Sequence, residues 1–462
     1  MACQRSHGSV VALLGLLLVA QGAWAQLNVN SSPNTVGSGA RALGMGGAFI
    51  AVADDATAAS WNPGGLTQLE MPEFSIVYSY KRASEYFSSS TRPELGGDND
   101  THLGELNYLS IAYPFQRTIA GRNIVVSLNY QRKFNFNREL DFRFNDAAAL
   151  TGGNIFDIHY DINYHQEGSL STFSPAVGFE LTNNLSVGAV MNIWDSSLIS
   201  DNGWRNTTEF RSRSRVDGDS PAFSSGEIIE EYEDFDGTNY TFGLLYRPFE
   251  RFQIGAVFNT KFAADVKYTQ TFRLHGAATS VNRENRRMEF PSSFGLGVAY
   301  RFPNDKLTVS LDVTRREWDE FVEIDRRGVR TSPITGLGKF MSPADPTYTV
   351  RMGAEYVFVD QSKPIQRYLP SLRAGMFYDP EPAGGQKDYW FGLGKVTGEP
   401  DDYYGVTLGA GVLIRNRVNV DFAYQYRWGN DVRKDTFAQP GTAADVDQHE
   451  FYLSTVIYLG RN

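Results

Sequence analysis

Catalysis in a chain of this kind would rest on histidine, serine, cysteine or paired carboxylates, and here few of them are arranged for it. Of six histidines, His7 lies in the leader and His102, His159, His165 and His275 fall in or near polar connections. His449 begins the last segment of alternating hydrophobicity. None has metal-ligand spacing, and no serine sits in a G-x-S-x-G elbow. Gly44-x-Gly46-Gly47 has neither a strand before it nor a lysine after it, so it does not read as a phosphate loop. The sequence therefore reads as having no catalytic residue, no metal site and no cofactor, and the protein is not expected to be an enzyme.

What stands out is a set of charged and polar residues on the polar parity of alternating segments, opposite the apolar one: Arg351, Glu355, Arg373, Asp379, Asp421, Gln425 and Arg427. Facing an interior, charges of both signs pair and hold an internal segment in place. An arginine among them also offers a bidentate fork to a carboxylate. The spacing leaves both readings open.

The elements that carry these residues follow a period of two. Val418, Val420, Phe422, Tyr424, Tyr426 and Trp428 are apolar or aromatic, while Arg417, Asn419, Asp421, Gln425 and Arg427 lie between them. Such alternation marks a strand with one apolar face. The same test finds about fourteen strands, centred near 73–82, 104–115, 122–136, 170–181, 185–196, 238–248, 252–270, 288–302, 306–321, 346–359, 370–379, 402–414, 417–429 and 448–459. Short connections such as Thr182–Asn184 and Arg415–Asn416 alternate with long polar ones at 84–103, 141–167, 197–237, 323–345, 380–401 and 430–447. Short turns on one side and long loops on the other are the pattern of a membrane barrel. The fold expected is all-β, a 14-stranded antiparallel transmembrane β-barrel.

The ends of the chain agree. Arg5 and His7 precede the apolar run Val10 to Ala20, and Ala23-Trp24-Ala25 forms a small-x-small site, so residues 1–25 read as a signal peptide. The apolar run is shorter than the roughly 20 residues of a spanning helix. Cys3, the only cysteine, leaves with it, and the formal charge of −10 becomes more acidic by one. That balance offers no nucleic-acid surface. Residues 26–71 then form an N-terminal hatch or plug, and 72–462 the barrel. A barrel this wide is not filled by its own side chains. Gly37 to Leu66 is rich in Gly and Ala, small enough to occupy a lumen. Asp54 or Asp55 is placed to cap a short helix through Ala56–Trp61, and Asn62-Pro63 to end it.

The third strand carries an outward face, Ile124, Val126, Leu128 and Tyr130, whose parity continues through Arg132, Phe134, Phe136, Arg138, Leu140 and Phe142. At about 3.3 Å per residue this lifts the wall well above the membrane. Arg132 and Arg138 are then placed to meet lipopolysaccharide phosphates.

Five stretches, GARALGMGGAFIAVADDATAASWNPGGL, FPSSFGLGVAYRFPNDKLTVSLDVTRREWDEF, PTYTVRMGAEYVF, PSLRAGMFYDPEP and DDYYGVTLGAGVLIRNRVNVDFAYQYRWG, resemble in order the long-chain fatty acid transporter family of Gram-negative outer membranes, the FadL/TodX type. The resemblance implies a fourteen-stranded barrel with an N-terminal hatch, which takes hydrophobic substrates from outside and releases them sideways into the membrane. The family's Asn-Pro-Ala hatch signature falls on Asn62, Pro63 and Gly64, with Gly46 and Gly47 in the same hatch; its acidic lumen residue falls on Asp379. The family's third-strand kink is commonly at glycine, and no glycine occurs between Arg122 and Leu140; a bulge would serve instead. The usual terminal aromatic is replaced by Leu459-Gly460-Arg461-Asn462.

The function expected is passive uptake of long-chain fatty acids or other hydrophobic compounds across the outer membrane of a Gram-negative bacterium, gated by the hatch. Arg351, Glu355, Arg373, Asp379 and Arg427 are the candidates lining the substrate path. Expected partners are outer-membrane lipid, lipopolysaccharide and the hydrophobic substrate. The phrase ALGMGGAFIAVADDA also resembles a sister branch that partners protein secretion machinery, so a secretion-linked barrel, or a structural or general porin, is the alternative.

Overall fold

The computed structural model describes residues 37–115, 121–149, 155–199, 202–216, 221–303, 305–362, 366–383, 401–432 and 441–460. The expected signal peptide, residues 1–25, lies outside them. So does most of the expected connection 380–401.

The first strands are β1 (Glu73–Ser89), β2 (Gly97–Pro114), β3 (Ile124–Asn135), β4 (Arg138–Ala149) and β5 (Ile155–Thr182). They are followed by β6 (Leu185–Asp195), β7 (Gly203–Val216), β8 (Ala222–Phe249), β9 (Phe252–Asn259) and β10 (Phe262–Leu274). Next come β11 (Ser280–Phe290), β12 (Ser293–Arg301), β13 (Leu307–Arg316), β14 (Val322–Ile324) and β15 (Arg330–Thr331). The last are β16 (Thr347–Val357), β17 (Tyr368–Tyr378), β18 (Tyr404–Ile414), β19 (Val418–Val432) and β20 (Thr442–Tyr458).

Antiparallel pairing runs β1-β2-β3-β5-β6-β8-β9-β12-β13-β16-β17-β18-β19-β20 and closes on β1, a ring of fourteen strands. Closure satisfies every edge, which is what lets a sheet stand in hydrocarbon. The outward parity is apolar and exposed, as at Leu296, Leu372 and Leu408. Aromatic girdles bound it: Tyr348, Tyr378, Tyr404 and Trp428 on the rim where the long connections lie, and Tyr246, Tyr300, Tyr356 and Tyr368 on the rim of short turns. Amphipathic rings settle at the two membrane–water boundaries.

Strands β5 and β8 are 28 residues each, more than twice the span a bilayer needs. Their outer halves pair with β4, β7 and β10, and β10 carries the sheet on through β11 to β14, in a second tier above the ring. The expected polar loops at 141–167 and 197–237 are therefore largely strands. Alternate residues there are charged, as at Arg211, Arg213 and Arg215, while Phe210 and the inward Ile158, Tyr160 and Ile162 are buried. The charged parity hid the strand character.

The N-terminal segment fills the ring. Helix α1 (Ala40–Gly44) and helix α2 (Ala58–Trp61) are joined by turns, and a 3₁₀ turn over Pro63–Gln68 leads to β1. Its buried residues, among them Met45, Phe49, Trp61 and Leu66, form one core with inward residues of the wall such as Ala112, Val125 and Val190. Inward glycines let backbone meet backbone: a methyl group at Gly353 or Gly375 would overlap Met45 and Gly46, and one at Gly188 or Gly243 would overlap Asn62 and Pro63.

Candidate functional site

Asn62 is wholly buried. Its Nδ2 donates to the Ile50 carbonyl at 2.8 Å and to the Leu244 carbonyl of β8 at 3.0 Å, while its Oδ1 accepts from the Gly64 N–H at 3.0 Å. Asn62, Pro63 and Gly64 therefore tie the end of α2 to the wall. Helix α2 starts two residues later than expected: Asp55 Oδ1 accepts from the Thr57 N–H and hydroxyl at 2.8 and 2.6 Å, shaping the turn before it. Burial pushes the Asp55 carboxyl above the usual carboxylate range, against the opposing pull of Arg41. Gly46 and Gly47 have φ of 67° and 74°, the left-handed region that glycine enters without strain. The Gly46 N–H donates to Thr407 Oγ1 of β18 at 2.9 Å.

The charged candidates divide into two groups. Glu355 and Arg373 belong to a chain of ion pairs that fastens the N-terminal segment. Arg41 grips Glu355 with Nε and Nη2 at 2.9 and 2.8 Å and reaches Asp54; Arg373 bonds Glu355 at 2.7 Å and Asp421 at 2.8 Å. Asp312, on β13, accepts from the Phe49 and Ile50 N–H groups at 2.7 and 2.8 Å. The second group, Arg351, Asp379 and Arg427, lines a polar cavity together with Lys81, Glu105 and Glu450. There Arg427 Nε lies 3.2 Å from Asp379, and its guanidinium covers the Tyr403 ring at 3.7 Å. Arg351 donates to the Gly46 carbonyl at 3.2 Å.

Arg132 and Arg138 do not face lipopolysaccharide. Arg138 is 4% exposed and bidentate on Glu85 at 2.9 and 2.6 Å; Arg132 bonds Glu105 at 2.8 Å beside the polar cavity. The cause is a β-bulge in β3. The register passes from Arg132↔Ser171 to Phe134↔Leu170, leaving Lys133 as the extra residue. A bulge re-aims the side chains that follow it, so Phe134 and Phe136 turn into the interior rather than to lipid. The bulge stands where the missing glycine kink was looked for.

Lys133 is the functional candidate that sequence reasoning missed. It is half-buried, lines the polar cavity and a second, aromatic one, and among the described residues makes no ion pair. The charge acting on it is that of Arg316, another cation, which lies over the Trp318 ring at 5.5 Å. The aromatic cavity, about 100 Å³, is walled by Trp61, Phe134, Trp194, Phe262 and Phe290. Trp194 stacks on Phe262 at 5.3 Å, and Phe262 on Phe290 at 4.8 Å. Arg316 carries the parity of Asp312 and Thr314, which the alternation does mark as inward. Lys133 carries the inward parity of Ser127, Asn129 and Gln131, but only pairing with β5 reveals the bulge that leaves it as the extra residue. No group of three His, Cys, Asp or Glu is placed to hold a metal among the described residues.

Comparison with known proteins fits this geometry. The family model described as outer membrane protein transport protein (OMPP1/FadL/TodX) matches residues 16–451. The crystal structure of a Pseudomonas aeruginosa FadL homologue aligns at a TM-score of 0.60 and 15% identity, covering 92% of this chain and 100% of that one. The P. putida toluene transporter TodX aligns at a TM-score of 0.54 and 13% identity, covering 93% and 100%. At such identities the likeness is one of fold. No curated protein sequence matches. The match over nearly the whole chain makes this protein a member of the OMPP1/FadL/TodX family, integral β-barrels of the Gram-negative outer membrane that are channels for hydrophobic compounds and not enzymes.

Proposed function

We propose that this channel carries hydrophobic compounds with an anionic head, long-chain fatty acids above all, by passive diffusion, and that residues 26–71 act as its hatch. One observation supports the reading most directly: Lys133, a cation without an ion-pair partner among the described residues, stands with Arg316 at the edge of a cavity walled by aromatic rings. An unbalanced charge at an apolar boundary is costly to keep and is relieved by a carboxylate whose chain lies against the rings. A purely neutral hydrocarbon has no use for the cation. In this reading Asn62, Pro63, Gly64, Gly46 and Gly47 hold the hatch, Glu355 and Arg373 latch it, and Arg351, Asp379 and Arg427 line the polar side of the path.

The test is uptake of labelled oleate and labelled toluene by cells that lack the gene and are complemented with wild type, Lys133→Met or Arg316→Met. Loss of oleate uptake in both variants, with toluene entry retained, is the expected result. Oleate uptake equal to wild type in Lys133→Met would refute it.

A further inference from the structure

The second tier of sheet, above the ring, holds a polar layer between two apolar clusters. On one side lie Leu140, Phe142, Ile162, Phe210 and Ile228, packed with Phe87 of β1 and Val446 of β20. On the other lie Phe136, Trp204, Tyr232 and Phe290. Between them the register sets Arg138, Gln166, Asn206 and Glu230 side by side on four successive strands. Directly opposed residues have their Cβ atoms about 5 Å apart, so these side chains form one continuous row.

Most of the row is satisfied. Arg138 is paired with Glu85, Glu230 accepts from the Tyr268 hydroxyl at 2.6 Å, and Arg286 lies over Tyr268 and is paired with Glu284 and Glu323. Its centre is different. Gln166 is wholly buried, and among the described residues neither its Nε2 nor its Oε1 has a hydrogen-bond partner. Asn206 Oδ1 and Trp204 Nε1, on the neighbouring strand, are buried and equally without one among the described residues. Native interiors rarely leave such atoms unmet, and each costs about 1–3 kcal/mol when nothing occupies it.

We propose that Gln166, with Asn206 and Trp204, forms a second polar subsite that takes the undissociated carboxylic acid end of an amphiphile. A primary amide with both its N–H and its carbonyl free matches a carboxylic acid in a two-point pair, the acid O–H donating to Oε1 and the acid carbonyl accepting from Nε2. The surrounding charge selects the neutral form: Glu85, Glu230, Glu284 and Glu323 face two arginines, so an ionised carboxylate is repelled. A continuous aromatic track joins this point to the cavity at Lys133, from Trp204 to Phe136 at 5.0 Å and from Phe136 to Phe134 at 6.2 Å. An amphiphile entering tail first leaves its end group at the Gln166 level while its chain lies along those rings. This inference rests on the proposed uptake of acid-headed amphiphiles, and assigns them a neutral stage before the cationic one.

The test uses the full-length protein purified in detergent and three labelled probes at pH 8. Palmitamide carries the same donor–acceptor pair as an undissociated acid, methyl palmitate can only accept, and palmitate is ionised. Wild type is expected to bind palmitamide about tenfold more tightly than methyl palmitate, the loss expected when one neutral hydrogen bond is forfeited and its partner atom stays unmet. Gln166→Leu removes that difference, and Lys133→Met keeps it. Equal affinity of wild type for amide and ester, or a difference that survives Gln166→Leu, overturns the subsite and leaves the row holding water. Should Gln166→Leu not fold, the amide–ester comparison in wild type decides alone. Failure of the underlying uptake reading is separately visible, as palmitate affinity unchanged in Lys133→Met.

Discussion

Arg41 and Glu355 close a two-point ion pair, at 2.9 and 2.8 Å, between the N-terminal segment and the inner wall of the barrel. Glu355 is also bound by Arg373 of β17, so one carboxylate serves a cation on each side of the seam. Removing it leaves Arg41 to Asp54 and Arg373 to Asp421, each one carboxylate short in a buried setting, and breaking a buried pair costs up to about 3–5 kcal/mol. Glu355→Ala is expected to loosen the segment and raise steady ion conductance in planar bilayers, while Glu355→Gln, which keeps the shape but not the charge, gives an intermediate increase. Traces as silent as wild type in Glu355→Ala would show that this pair does not latch the segment.

Two neighbouring residues of β17 separate lumen from lipid. Gly375 faces inward, where a methyl group would overlap the backbone of Met45 and Gly46; Ala374 faces outward and is exposed. Backbone cannot yield as the end of a side chain does. Gly375→Ala is therefore expected to displace the segment and expose Arg41 to trypsin, whereas Ala374→Leu leaves the digestion pattern unchanged. Protection of Arg41 in Gly375→Ala equal to that in wild type would contradict the packing described.

Leu408 is 62% exposed on the lipid face of β18, and Thr407 beside it is buried and bonded to the Gly44 carbonyl. A guanidinium on the lipid face costs about 2–4 kcal/mol near the bilayer midplane. Leu408→Arg is expected to lower stability by that amount in urea unfolding from phosphocholine bilayers, with wild-type affinity for palmitate in the fraction that folds. A change below ~1 kcal/mol would place Leu408 near the membrane boundary instead.

The fold was legible because lipid imposes a period of two that nothing in the chain contradicts. Val418 to Trp428 shows it, and each of the fourteen ring strands contains such a run. The third strand shows its limit. Val126 and Leu128 face lipid, whereas Phe134, Phe136 and Leu140, on the same parity of numbering, face protein. Apolar residues suit either surroundings, so the alternation ran unbroken across a bulge that reverses its meaning. Arg132 and Arg138 were misplaced for that reason. The inward charges Arg351, Glu355, Arg373, Asp379 and Arg427 are all buried, and which of them meet one another depends on registers between strands far apart in the chain. Gln166 lay in an expected loop, and no pattern within a single segment distinguishes an unmet amide from a satisfied one.

Lys133 contributes both a charge and an extra residue of backbone, and the two are separable. Lys133→Met keeps the bulge and removes the cation. Deleting Lys133 removes both, and pairs Arg132 and Phe134 regularly with Ser171 and Leu170. Bulges interrupt the ladder and open local gaps between strands, and this one borders both cavities. If the bulge is the lateral way out, the deletion blocks neutral and acidic compounds alike, while Lys133→Met blocks the acids only. The expected outcome is loss of both oleate and toluene uptake in the deletion, in barrels that retain heat-modifiable gel mobility. Toluene entry at the wild-type rate in folded deletion barrels would move the exit away from β3 and toward the periplasmic end of the lumen, beneath Asn62.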